Sequence, residues 1–164
     1  MPAIQPIRGA KRAAHRGAIT LELILVLIVL VVVLVAVFEF AMVMLVQGTV
    51  THSATVAARE AGKGEDLAEI VRVVQAIVRV NCITISDAPG SGTKVVLENG
   101  TAPTEVFGDP ELDCPTPPNV LAPDEVRVTV CVAFEATPIC DALHAYGFSF
   151  AGSQFWASSL VKKE

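Results

Sequence analysis

No acidic residue precedes the long apolar run of this chain; Arg8, Lys11, Arg12 and Arg16 supply every charge up to Gly17. An acid-free, basic leader is held on the cytoplasmic side of a membrane by the positive-inside rule. From Ala18 to Gln47 there is neither proline nor glycine, so nothing in that stretch breaks a helix. A secretory signal peptide needs an apolar core of about 7–15 residues followed by a small-residue cleavage site. Here the run is longer and no such site follows it. Catalytic signatures are also missing. There is no Cys-x-x-Cys, no Gly-x-Ser-x-Gly, no phosphate-binding loop and no His-Glu-x-x-His. His15, His52 and His144 share no ligand spacing. No enzyme, cofactor or metal site is expected.

What is present is the run itself. Leu23 to Phe38 is unbroken apolar sequence, Glu39 interrupts it, and Phe40 to Val46 is apolar again. At about 1.5 Å per residue, a helix of this length crosses a hydrocarbon core of about 30 Å. Glu22 stands at its entry. An acid at the helix centre would cost about 2.5–3.5 kcal/mol, less near an interface, and intramembrane acids are functional by default. Cleavage after Gly17 would make Ala18 a new N-terminus with an amine of pKa about 7.7–8.0. Glu22 would then be the fifth mature residue. It could neutralise the amine of an axially shifted neighbouring subunit, removing two charges that are costly alone.

Arg16-Gly17, Glu22 and Glu39-Phe40 resemble the TadE-like minor pseudopilins of tight-adherence (Flp-type) pili, with their class III (type IV prepilin-like) signal. Those proteins often carry Phe-Ala after the first Glu, Pro midway and Gly-Arg after Glu-Phe. This chain has Leu23-Ile24, Ile28 and Ala41-Met42. The resemblance implies a structural and assembly role in a pilus machine, with Gly17 and Ala18 as the pair cut by a prepilin peptidase. It makes Glu22 the assembly and recognition carboxylate, and Val26 to Phe38 the surface that packs on other pilin-type helices. It also marks Glu39 as a second functional acid. Helical geometry puts Glu39 about 26 Å along and about 100° around from Glu22, where it is expected to reach toward water at the outer interface. The implied location is a bacterial inner membrane, single-pass, with the C-terminal domain periplasmic. A type II secretion pseudopilin and an uncleaved, membrane-anchored periplasmic binding domain are the alternatives.

The expected organisation is leader 1–17, membrane helix 18–46, helical extension 47–62 and exported α+β domain 63–164. Beyond the leader, eight Lys and Arg oppose seventeen Asp and Glu, a net of −9 that argues against nucleic acid as a partner. Small residues recur on the extension at Gly48, Ser53, Ala54, Ala57, Ala58 and Ala61, a face that permits close helix packing. Gly62 and Gly64 mark its end. Residues 65–80 form a second helix, with Leu67, Ile70, Val71, Val74, Ile77 and Val78 on one stripe.

A small antiparallel sheet is expected after it. Its strands are placed at 82–86, 94–98, 104–107, 125–136 and 154–161, with a hairpin turn at Asn99-Gly100. In the clearest strand Val126, Val128, Val130, Val132 and Phe134 alternate with Arg127, Thr129, Cys131, Ala133 and Glu135, predicting one buried face. Cys82, Cys114, Cys131 and Cys140 all follow the span, on the side where disulfides form. Four cysteines allow three pairings. Cys131–Cys140 is preferred because those two flank a strand end and Pro138, leaving Cys82–Cys114.

Overall fold

The computed structural model describes residues 10–164, with side chains from residue 21 onward. The leader up to residue 9 lies outside the described residues. The chain divides into two units, residues 1–38 and 39–164. In the first, the helix α1 (Ala10–Gly62) runs through Leu21 to Phe38 as an apolar rod whose large side chains are mostly exposed. A helix apolar on every side needs an apolar surrounding. From Leu21 to Gly62, α1 is the one helix among the described residues long and apolar enough to cross a membrane.

The second unit begins at Glu39 and holds the hydrophobic core. The later part of α1 turns Val46, Val50, Ala54, Ala57, Ala58 and Ala61 inward, so the small-residue face packs against the chain's own domain. The helix α2 (Leu67–Val78) starts where the Asp66 carboxylate accepts the Glu69 N–H at 3.0 Å, a side-chain N-cap. Its Ile70, Val74 and Val78 are fully buried on the predicted stripe.

Strands β1 (Thr93–Asn99), β2 (Ala102–Gly108), β3 (Glu125–Ala133) and β4 (Gln154–Lys162) form one antiparallel sheet in the order β2-β1-β3-β4. The expected α+β architecture is therefore present: a long apolar helix, a second helix and a small antiparallel sheet. Val95, Leu97, Val126, Val128, Val130 and Val132 join the two helices in one core.

Four local expectations are corrected. Residues 82–86 do not form a strand. Cys82 adopts φ +58, which bends the chain away from an extended path. The Gln75 side chain instead satisfies the backbone of Ile83 and Ile85, and Thr93 Oγ1 serves Thr84 and Ser86. The hairpin tip is Gly100-Thr101, because Asn99 still pairs with Ala102 and its side-chain oxygen accepts the Thr101 N–H at 3.2 Å. A Cβ on Gly100 would fall 2.0 Å from the Ala122 carbonyl oxygen, so the crossing loop itself requires glycine there.

The third correction concerns β3, which is buried on both faces: Arg127, Thr129 and Cys131 are enclosed as fully as the valines. The segment 109–124 covers that second face. Arg127 lies opposite Glu98 in the β1–β3 register, pairs with it at 2.6 Å, and donates to the Asn119 carbonyl at 3.1 Å. The fourth concerns the cysteines. The bridge is Cys114–Cys131, with Cα atoms 5.9 Å apart, while Cys82 and Cys140 are free and exposed. Cys131 points from β3 toward the covering segment that carries Cys114, and so away from the strand end that made Cys140 attractive. Closing a 17-residue loop stabilises by about 3 kcal/mol in a chain-entropy account.

Candidate functional site

The residues singled out from sequence fall in both units. Gly17 and Ala18 lie in the helical backbone of α1, and their side chains are outside the described residues. Glu22 is exposed on the rod, between exposed Leu21, Leu23 and Ile24. Among the described residues no cation pairs with it.

Glu39 sits differently from the expectation that it reaches for water. It opens the second unit and is only 3% exposed. Its Oε1 accepts the Ala142 N–H at 3.0 Å and its Oε2 accepts the Leu143 N–H at 3.2 Å. A buried carboxylate is tolerable only when hydrogen-bonded, and here each oxygen has a backbone donor. Those donors open a 3-10 turn, Ala142–Tyr146, that has no side-chain cap from its own preceding residue, Asp141. Glu39 supplies it from more than a hundred residues away. Only the Glu-Phe pair hinted at this role, since a partner so remote in sequence leaves no local pattern.

The segment that Glu39 holds is closed on itself. Asp141 Oδ2 accepts from Ser149 Oγ at 2.7 Å and from the Phe150 N–H at 3.3 Å. The Phe148 N–H returns to the Leu143 carbonyl at 3.2 Å. Phe150 stacks on Phe134, centroids 5.6 Å apart. Glu135 accepts the Gly152 N–H at 2.7 Å, and that bond holds its carboxyl below the ordinary carboxylate value. Inside this frame Tyr146 and Phe148 stand out into the surroundings, 58% and 68% exposed. Asp109, which lines one pocket with Glu135, is held below its ordinary value chiefly by the Gly92 N–H. Among the described residues no grouping of His, Cys, Asp and Glu could hold a metal ion.

With the bare apolar rod, Glu22 at its entry and Glu39 at its exit in place, the comparison with known families is informative. Residues 17–59 match the family described as TadE-like protein. The chain carries a TadE-like segment. That segment begins at Gly17 and takes in Glu22, the apolar rod, Glu39-Phe40 and most of the helix that enters the core. None of the curated proteins and none of the solved structures gives a significant match. The match supports a component associated with the tight-adherence pilus, and the apolar helix that it covers is long enough to cross a membrane. The TadE-like segment ends inside α1, so α2 and the whole sheet lie beyond it.

Proposed function

We propose that the chain is a minor pseudopilin, a structural subunit that assists assembly or priming of the pilus. In this reading a prepilin peptidase cuts between Gly17 and Ala18. The leader stays cytoplasmic and residues 47–164 face the periplasm. Glu22 pairs with the Ala18 amine of a neighbouring subunit. The observation that carries the proposal is the single acid, Glu22, five residues after Gly17 at the start of an otherwise apolar, outward-facing helix within a TadE-like segment. Placing a carboxylate there is unfavourable in lipid unless a cation meets it. A free α-amine one helical turn away in sequence is such a cation once the leader is removed. The role is structural rather than catalytic.

N-terminal sequencing of the membrane-bound protein tests this. A mature chain starting at Ala18 is expected, and Gly17→Leu should leave the precursor uncut. An intact leader on the wild-type protein would favour an uncleaved anchor carrying a periplasmic partner-binding domain. A type II secretion pseudopilin shares the cut. The two are separated by whether deletion abolishes tight-adherence pili or type II export.

A further inference from the structure

We propose that Asn99-Gly100 is a modification site: it deamidates in the open chain, and the closed domain guards it through the Glu125 carbonyl and the Lys163 ammonium. The inference concerns the folded domain alone and stands whether or not the leader is cut.

The pair has the chemistry for it. It is the chain's one Asn-Gly step. Deamidation begins when the Gly100 nitrogen, having given up its proton to water, attacks the Asn99 carboxamide carbon. A C–N bond forms, a cyclic imide closes and ammonia leaves. Water then opens the ring at either carbonyl. One opening gives aspartate on the ordinary backbone. The other gives a β-linked aspartate, whose backbone carries an extra methylene. Nothing is oxidised or reduced. Glycine sets no Cβ in the path of the attack, so the step is least hindered there.

The fold holds both reacting groups. The Gly100 N–H donates to the Glu125 carbonyl at 3.2 Å, just beyond the Asn99–Val126 pair of the β1–β3 ladder. Its proton is engaged, and its nitrogen is fixed toward β3. Asn99 Oδ1 accepts the Thr101 N–H at 3.2 Å, the Thr101 hydroxyl at 3.1 Å and the Lys163 ammonium. Those bonds tie the carboxamide forward over Thr101 instead of letting it turn back onto Gly100. Lys163 is anchored in its turn. Its N–H donates to the Asp124 carbonyl at 2.8 Å, and the Glu164 N–H donates to the Gly62 carbonyl at 3.0 Å. Water is not what the site lacks, because Asn99, Glu105, Lys163 and Glu164 line a cavity of about 260 Å³. The guard is the set of hydrogen bonds.

The β-linked product also fits badly. A Cβ on Gly100 would fall 2.0 Å from the Ala122 carbonyl oxygen and 3.0 Å from the Pro123 Cα. An extra backbone methylene at this turn drives Gly100 into the same wall. A chain that stays open is therefore marked at Asn99, and the β-linked mark opposes later closure.

The test ages the full-length protein in detergent micelles in mildly alkaline buffer. Three samples are compared: native wild type, wild type unfolded in guanidinium chloride, and native Lys163→Ala. Folding of the variant is verified by circular dichroism and a cooperative urea transition. Peptide mapping reads the mass gain of NH2 replaced by OH at Asn99, and chromatography separates aspartate from its β-linked isomer. Asn119, which valine follows, is the internal comparison.

In the unfolded chain Asn99 should convert well ahead of Asn119. In native wild type its conversion should be at least about tenfold slower, as for groups released only by local opening. Lys163→Ala should fall between the two. Equal rates in native and unfolded wild type would overturn the guard. Absence of conversion in the unfolded chain would overturn the site itself. Conversion in Lys163→Ala as slow as in native wild type would remove Lys163 from the guard. After return to native buffer, the β-linked form should unfold at lower urea than the aspartate form. Equal midpoints would overturn the steric argument.

Discussion

Arg127 and Glu98 form a buried ion pair across β1 and β3, with the Arg127 side chain 6% and the Glu98 side chain 17% exposed. Removing one partner leaves the other charge enclosed without compensation, which costs about 3–5 kcal/mol in such sites. Glu98→Gln and Arg127→Met should each lower the urea midpoint of the micelle-bound chain by several kcal/mol equivalent. The double variant Glu98→Leu/Arg127→Met should recover a large part of that loss. Additive losses in the double variant would show that the pair is not the unit of stability.

The cysteines give a chemical prediction. Alkylation of the native, unreduced protein should label Cys82 and Cys140 and spare Cys114 and Cys131. Peptide mapping should recover one bridged pair. Cys114→Ser should destabilise by about 3 kcal/mol, whereas Cys140→Ser should leave stability unchanged. A recovered Cys131–Cys140 peptide would contradict the structure.

Acid should loosen the unit at two places. The Asp109 and Glu135 carboxyls are held below their ordinary values of 3.8 and 4.5, first by the Gly92 and Gly152 N–H groups respectively. A group whose folded value is depressed stabilises the fold above its unfolded value, and that contribution is lost as pH falls through the folded one. Unfolding midpoints should therefore decline as pH drops below about 4.5. Asp109→Asn should flatten the lower part of that decline, because Asp109 is buried and has the lower ordinary value. Glu135 is exposed, and its share should be the smaller.

Glu22 separates insertion from assembly. Glu22→Ala and Glu22→Gln both remove a charge that lipid disfavours, so membrane insertion should be undiminished. On the proposed pairing, pilus formation should fall sharply in both, because the neighbouring amine would lose its counter-charge. Comparing carbonate-resistant membrane protein with surface pili checks this. Normal piliation in both variants would reduce Glu22 to an interfacial acid.

The elements legible in the sequence were those with a strong period or a strong absence. The apolar rod, the α2 stripe and the valine-rich run of β3 each repeat a local rule many times, and the structure forms a helix, a helix and a strand there, although β3 is buried on both faces. What sequence reasoning misplaced depended on remote partners. Arg127 and Thr129 looked solvent-facing because nothing local shows that residues 109–124 fold over them. The strand expected at 82–86 yielded to Gln75 and Thr93 side chains that take its backbone groups. Glu39 looked like an interfacial acid because its donors, Ala142 and Leu143, are separated from it by α2 and most of the sheet.

The Cys114–Cys131 bridge also sets an order of events. Cys131 has no exposed surface once the unit is folded, so in the finished domain an oxidant meets the half-buried Cys114 first, and Cys131 must then displace it to close the bridge. Oxidation is fastest while the cover 109–124 is still open and both thiols are accessible. Where thiols are kept reduced, that cover would close over two unlinked cysteines and be the less stable for it. The sheet has its full stability only where the surroundings let that bridge form and persist.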